Sequence, residues 1–261
     1  MPEGDTVWRT ARRLHTALAG QPLTGSDLRV PQHATADLSG QTVQEVTARG
    51  KHLLHRIGDD LTLHTHLKME GSWHLYRPGS RWRRPGHTAR VVLRTEPWDA
   101  VGFSLGAVDL VPRDEESRLV GHLGPDLLGA DWDAEEAVRR LRAQPQRAIA
   151  DALLDQRNLA GIGNLYKCEV CFLAGVSPFV SVEQVRDLSG MVARAHTLLE
   201  ANKHRAQQTT TGDTRRGQGT WVYLRGGRPC RRCGTPVEEA DFGDPGRERQ
   251  TYWCPHCQPA P

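Results

Sequence analysis

The stretch Asp155-Gln156-Arg157-Asn158-Leu159-Ala160-Gly161-Ile162-Gly163-Asn164-Leu165-Tyr166-Lys167 sets two glycines in a tight turn and then an asparagine before an apolar run. Glycine permits positive φ and close backbone approach, and asparagine is a favoured helix cap. The spacing therefore predicts a helix over Asn164 to Ala174, opened by Asn164. A helix start beside small residues is a natural phosphate site. Taken alone, the pattern fits any helix–turn–helix corner, so its surroundings decide.

Past this helix, Val182 to Asn202 read as a further helix, and residues 203–219 are polar and read as a mobile loop. Lys203 to Arg232 hold eight Lys or Arg against one acid, Asp213, while the whole chain carries only +3. Such a local excess can pair with phosphates. Before the turn, Ala134 to Ala143 and Arg147 to Asp155 read as helices. Ahead of Pro125 the texture is different. Leu28-Val30, Thr42-Ala48, His52-Ile57, Leu61-Leu67, Ser72-Tyr76, His87-Arg94 and Val101-Val111 are short alternating segments separated by turn residues, which predicts an antiparallel sandwich or barrel. Asp5 to Ala19 precede them as a helix, with Val7, Trp8, Ala11, Leu14 and Leu18 at helical spacing and Gly20 as its stop. The expected division is 1-124, 125-219 and 220-261.

At 261 residues the chain can hold one large domain or two modest ones. No run approaches the roughly 18 apolar residues of a membrane span. The N-terminus is acidic and amphipathic rather than a basic, apolar signal, so the expected location is cytoplasmic, on the nucleoid if the source is bacterial. A reducing compartment turns the six cysteines toward metal or packing rather than disulfides. Cys230-x2-Cys233 and Cys254-x2-Cys257 match a four-thiolate zinc site, one structural ion per chain with no open position. Cys168 and Cys171 share the same spacing but sit among Val170, Phe172 and Leu173 on a predicted helix, where packing is expected.

At the other end of the chain stand Pro2 and Glu3. With Met1 removed, Pro2 presents a secondary amine, and attack on a sugar aldehyde carbon gives an iminium that is an electron sink without further protonation. An α-amine has a reference pKa of about 7.7–8.0, so a usable unprotonated fraction exists near neutrality. To act as an acid, Glu3 needs burial or a proton taken from the amine, and a perturbed Glu3 is expected.

Four motifs in order carry a resemblance: Met1-Pro-Glu-Gly-Asp-Thr-Val7, Gly50-Lys51-His52-Leu53-Leu54, Gln156 to Lys167, and Thr251-Tyr-Trp-Cys-Pro-His-Cys-Gln258. Together they resemble the endonuclease VIII branch of the formamidopyrimidine-DNA glycosylase family, across essentially the whole chain. The purine-repair branch opens Pro-Glu-Leu-Pro where this chain has Pro-Glu-Gly-Asp, which favours the pyrimidine-repair branch. The resemblance implies a multidomain α+β fold: an N-terminal helix with a β-sandwich, a helix–two-turns–helix domain, and a C-terminal zinc finger. It implies a monomer acting on damaged DNA, with excision of an oxidised pyrimidine through a Pro2 Schiff base and β,δ-elimination. It also implies Pro2 as nucleophile, Glu3 as the acid that helps open the sugar ring, Lys51 as a lysine gripping phosphate near the lesion, and Asn164 and Arg249 as phosphate ligands. The alternatives are an 8-oxoguanine or formamidopyrimidine glycosylase, or a non-catalytic damaged-DNA-binding protein.

A base taken out of the stack leaves a hole to fill. His66-Leu67-Lys68-Met69-Glu70-Gly71 lies where the family's intercalating loop lies; Met69 is the wedge candidate and Lys68 a candidate DNA contact. Phe103-Ser-Leu-Gly-Ala107 stands where the purine branch carries Arg-Arg-Phe-Gly, so a strict cytosine requirement is not expected. His52, His55, His64, His66 and His74 alternate with apolar residues on predicted strands, which favours structural or DNA-surface roles over metal binding. Trp221 and Tyr223 are expected to pack.

Overall fold

A computed structural model of the chain describes residues 2–246 and 248–259; the expected removal of Met1 falls outside them. The chain divides into two compact units, one ending at His122 and one beginning at Leu123.

The first unit opens with α1 (Gly4–Leu18), whose Val7, Ala11, Leu14 and Leu18 are buried along one face. Two four-stranded antiparallel sheets follow. One has the order β1 (Gly25–Leu28), β6 (Ala89–Arg94), β7 (Asp99–Phe103), β5 (Ser72–Tyr76). The other has the order β2 (Val43–Arg49), β3 (His52–Ile57), β4 (Leu61–His66), β8 (Ala107–Pro112). Apolar residues of α1 and of both sheets share a core that includes Leu14, Val46, Leu53, Leu63, Val91 and Ala100. This is the sandwich expected from the alternating segments. Val101 to Val111 is two strands rather than one, because Ser104 takes a left-handed φ of 47° and Leu105-Gly106 complete a turn between β7 and β8. A short helix α2 (Glu116–Val120) closes the unit.

The second unit holds α3 (Ala134–Arg142), α4 (Ile149–Leu154), α5 (Asn164–Ala174) and α6 (Leu188–Asn202) around a core that includes Leu141, Leu153, Tyr166, Met191 and Leu199. Val182 to Asn202 is not continuous: a 3₁₀ turn spans Val182–Gln184, and α6 starts afresh at Leu188. Two start signals explain the break, since Ser181 and Gln184 form a capping box and the Asp187 carboxylate accepts from the Gly190 N–H. The antiparallel pair β9 (Glu238–Phe242) and β10 (Arg249–Trp253) packs through Val237 and Tyr252 against Cys168 and Phe172 of α5. The polar stretch 203–219, expected to be mobile, is held at its base. Asn202 Nδ2 donates to Thr209 O, Thr209 N donates to Asn202 Oδ1, and the Thr210 hydroxyl donates to Glu169.

Among the described residues no helix is long and apolar enough to cross a membrane.

Candidate functional site

Pro2 is half-buried and immediately precedes α1, while Glu3 and Asp5 are both fully buried at its first turn. The positive end of a helix favours carboxylates at such positions. Glu3 occupies the N-cap position with extended backbone, and its carbonyl accepts the Val7 N–H at 3.0 Å.

Lys51 lies in the two-residue connection between β2 and β3, where Arg49 pairs with His52. Gly50 supplies the positive φ, 57°, that tight hairpins of this length require. Register then brings other side chains alongside: His52 pairs with His66, Leu54 with His64, and His64 with Asp109, all on one face of the second sheet. The His52 and His64 rings stack at 5.0 Å between centroids, with His52 Nδ1 2.8 Å from His64 Nε2, and His64 Nδ1 lies 2.9 Å from Asp109 Oδ2. His66 meets His52 edge-on at 4.9 Å. Burial pushes His52 down to about 3, helped by the neighbouring imidazoles. It pushes His66 down to about 4, helped by Lys68 and Lys51. These rings are therefore neutral at physiological pH.

The histidines are more enclosed than strand alternation alone suggests. His55 points to the opposite face, into the core, where it is fully buried, its ring 4.9 Å from Trp73 and Nδ1 3.1 Å from Leu63 O. His64 is buried on the outer face. A polar group beside it on that face, Arg56 and Thr62, is closed over by Glu116 of α2. Among the described residues, the side-chain group that could hold a metal ion is made of cysteines and does not include these histidines.

The turn after β4 is closed by Gly71 N donating to Leu67 O at 2.9 Å. It leaves Met69 68% exposed, the most exposed large apolar side chain described. Lys68 takes a φ of 52°, donates its backbone N–H to His66 Nδ1, and lays its stem against Gly106 so closely that a Cβ there would collide with Lys68 Cγ. The β7–β8 turn and the Met69 turn thus support one another.

In the second unit, α5 spans Asn164–Ala174 as expected, but the cap position belongs to Gly163 rather than to Asn164, which is the first helical residue. Freed from capping, the Asn164 side chain reaches β10: Nδ2 donates to Gln250 O at 2.9 Å, and Oδ1 is buried without a hydrogen-bond partner. Arg249, next to Gln250, is exposed and donates to the Glu248 carbonyl. The structure therefore brings Asn164 against the strand that carries Arg249.

The four tail cysteines converge, all Sγ atoms lying within 4.8 Å of one another. Cys230 and Cys257 are 4.0 Å apart and Cys233 and Cys254 3.5 Å. A tetrahedral ion with metal–sulfur bonds of about 2.3 Å needs sulfur–sulfur edges of about 3.8 Å, so the four residues fit a metal. Cys168 and Cys171 are buried in two different clusters, the first against β10 and the second in the helical core, and burial pushes Cys171 up to about 12. Trp221 stacks on Phe172 at 5.6 Å.

Two site-supporting residues escaped the sequence reading. Glu169, fully buried on α5, accepts the backbone N–H groups of Trp221, Val222 and Tyr223 at 2.8 Å each. Lys167, also buried, donates from Nζ to the Thr251 hydroxyl at 2.6 Å. The signal was present, for these are the only charged residues between Leu165 and Ala174.

Comparison with known proteins agrees with this architecture. Residues 1–109 match the formamidopyrimidine-DNA glycosylase N-terminal domain and residues 123–211 the formamidopyrimidine-DNA glycosylase H2TH domain. A protein of Streptomyces coelicolor named probable endonuclease 8 2 is 57% identical over 100% of this chain and 95% of its own. The DNA-(apurinic or apyrimidinic site) lyase Nei2 of Mycolicibacterium smegmatis is 49% identical over all of both chains. The Lactococcus lactis Fpg, solved with DNA containing an abasic site, shares the fold at a TM-score of 0.82 and 24% identity, over 99% of this chain and 100% of that one. With both domain models matched and full-length relatives named endonuclease 8, the chain belongs to the formamidopyrimidine-DNA glycosylase family.

Proposed function

We propose that this chain is a bifunctional DNA glycosylase and abasic-site lyase of base excision repair, removing oxidised pyrimidines. The observation that carries the reading is the start of α1, where a fully buried carboxyl, Glu3, directly follows the proline that a processed terminus would expose. The Pro2 amine attacks C1′, the base departs, and Glu3, shielded from bulk water, delivers the proton that opens the sugar ring. The resulting iminium acidifies the C2′ proton, whose loss to a base expels the 3′ phosphate, and loss of the C4′ proton from the conjugated iminium then expels the 5′ phosphate. Hydrolysis returns the amine. The relatives' names support this activity, and the chain's own opening residues support the pyrimidine branch.

Lys51, Lys68, Asn164 and Arg249 are the proposed backbone contacts and Met69 the wedge; the exposure of Met69 supports that role. The sulfur geometry supports structural zinc at Cys230, Cys233, Cys254 and Cys257. In this reading the segments 1-124, 125-219 and 220-261 carry catalysis, DNA binding and the finger respectively, in a monomer working where the cell keeps its DNA.

Borohydride trapping on an abasic-site duplex tests the proposal, comparing processed protein with a form whose terminus is blocked by a retained tag. An adduct mapped to Pro2 and absent from the blocked form is expected. Binding without any adduct, from processed and metal-loaded protein, would replace the enzyme with a DNA-binding protein.

A further inference from the structure

Residues 77–90 contain five arginines, Arg77, Arg81, Arg83, Arg84 and Arg90, and no acid. The segment joins β5 to β6 and is built as a rigid platform. The Arg83 N–H donates to Tyr76 Oη at 3.1 Å, and Trp82 sets its ring edge-on to Phe103 at 5.7 Å. Arg29 covers Trp82 at 5.5 Å and donates to Gly86 O, which ties the loop to β1. Anchored in this way, Arg81 and Arg83 stand exposed beside an open cleft of about 530 Å³ lined by Ser80 to Gly86.

The platform is continuous with the Met69 turn. Arg84 Nη1 donates to Glu70 O at 3.1 Å and to Ser72 Oγ at 3.0 Å, a fixed link between the two loops. Positive charge also gathers here from a second element. Burial holds the His74 imidazole below the ordinary range, and Arg84, Arg13 of α1 and Arg83 add to it. An electropositive rim beside the strongly exposed Met69 suits a polyanion, and a segment with five arginines and no acid of its own suits phosphates best.

We infer that the Arg81–Arg83 loop is a second DNA-binding element, gripping the backbone phosphates that flank the lesion on the side of the Met69 turn. The inference rests on the DNA-glycosylase reading above and adds a contact surface to it. Arg81 and Arg83 supply sequence-independent affinity, and Arg84 holds their loop in register with the wedge.

The test uses the full, metal-loaded chain and a duplex carrying a tetrahydrofuran abasic analogue. Affinity is measured across a salt series for the parent, for Arg81→Ala/Arg83→Ala and for Arg81→Lys/Arg83→Lys. Loss of two phosphate contacts should flatten the plot of log K against log salt by about 1.8, which is up to about 60-fold in affinity at 0.1 M salt. The double-lysine protein should recover most of the slope. On a second duplex, with a natural abasic site whose C1′ aldehyde can form the Schiff base, borohydride trapping of the parent checks the glycosylase reading separately. A parent slope retained by the double-alanine protein overturns the inference alone and would turn attention to an acidic protein partner. A parent that neither binds nor traps overturns the glycosylase reading, and this inference with it.

Discussion

His55 makes the first unit sensitive to acid in a way that can be calculated. It is fully buried, Nδ1 lies 3.1 Å from Leu63 O, and Nε2 is enclosed without a hydrogen-bond partner. Burial pushes its pKa down to about 4 from 6.5, against the pull of the Leu63 carbonyl. In the unfolded chain the imidazole takes its proton as pH falls through 6.5, while the folded protein resists until about 4. The unfolded state therefore binds more protons throughout this window, and stability present above pH 6.5 is lost as pH falls toward 4. At about 1.36 kcal/mol per unit the full loss is about 3 kcal/mol, of which about 2 kcal/mol is already gone at pH 5. A typical domain has only about 5–15 kcal/mol to lose.

The perturbation is His55→Gln, and the assay is urea unfolding at pH 7.5 and pH 5.0, followed by NMR at the Trp73 indole N–H. That group reports on the right place, since Trp73 Nε1 donates to Thr65 Oγ1 at 3.2 Å and its ring lies 4.9 Å from His55. The parent should lose about 2 kcal/mol more than the variant between the two pH values. Acid release of a tail metal affects both proteins equally and cancels in the difference. Equal pH dependence in parent and variant would refute the argument, as would a directly titrated His55 near 6.5.

Other expectations follow from single contacts. Glu3→Gln should depress base excision far more than duplex affinity, and normal turnover would remove Glu3 from the mechanism. Arg249→Ala should weaken binding to damaged and undamaged duplex alike and flatten the salt dependence by about 0.9, whereas a loss confined to damaged DNA would contradict a phosphate contact. Chelation should release one zinc ion per chain and weaken duplex binding together, as a colorimetric metal assay beside a binding assay would record; full binding by metal-free protein would make the ion dispensable. Glu169→Ala strands three backbone N–H groups and a threonine hydroxyl, so a cost of roughly 3 kcal/mol or more is expected in denaturant unfolding.

How much of this was legible depended on how local each signal was. Cys-x2-Cys pairs, a Gly-Ile-Gly-Asn turn and alternating strands are local, and they read correctly as cluster, helix start and sandwich. The split at Ser104 was missed because the residue's left-handed backbone is imposed by its surroundings and is not a preference of serine. The burial of His64 was missed because it depends on Asp109, 45 residues away, and on the register that brings β8 beside β4. Strand alternation assigns a face, but it cannot say what later segment of chain will cover that face.

Helix α5 shows why the missed charges matter to the site. Successive residues on its first turns each hold a different part of the tail: Asn164 takes Gln250 O, Lys167 takes the Thr251 hydroxyl, and Cys168 accepts the Tyr252 N–H at 3.5 Å. The next residue, Glu169, gathers the backbone of Trp221 to Tyr223, the stretch leading into Cys230. Spacings of three and four residues place such side chains on adjoining faces of one helix, so a single rigid element sets the position of β10. Arg249 stands at the start of that strand, two residues before Thr251. The placement of the proposed phosphate ligand is thus tied to a buried lysine and a buried carboxylate as well as to the cysteines. A metal held by the four cysteines would not need to approach DNA to affect its binding, because it would hold the other end of the strand that α5 grips.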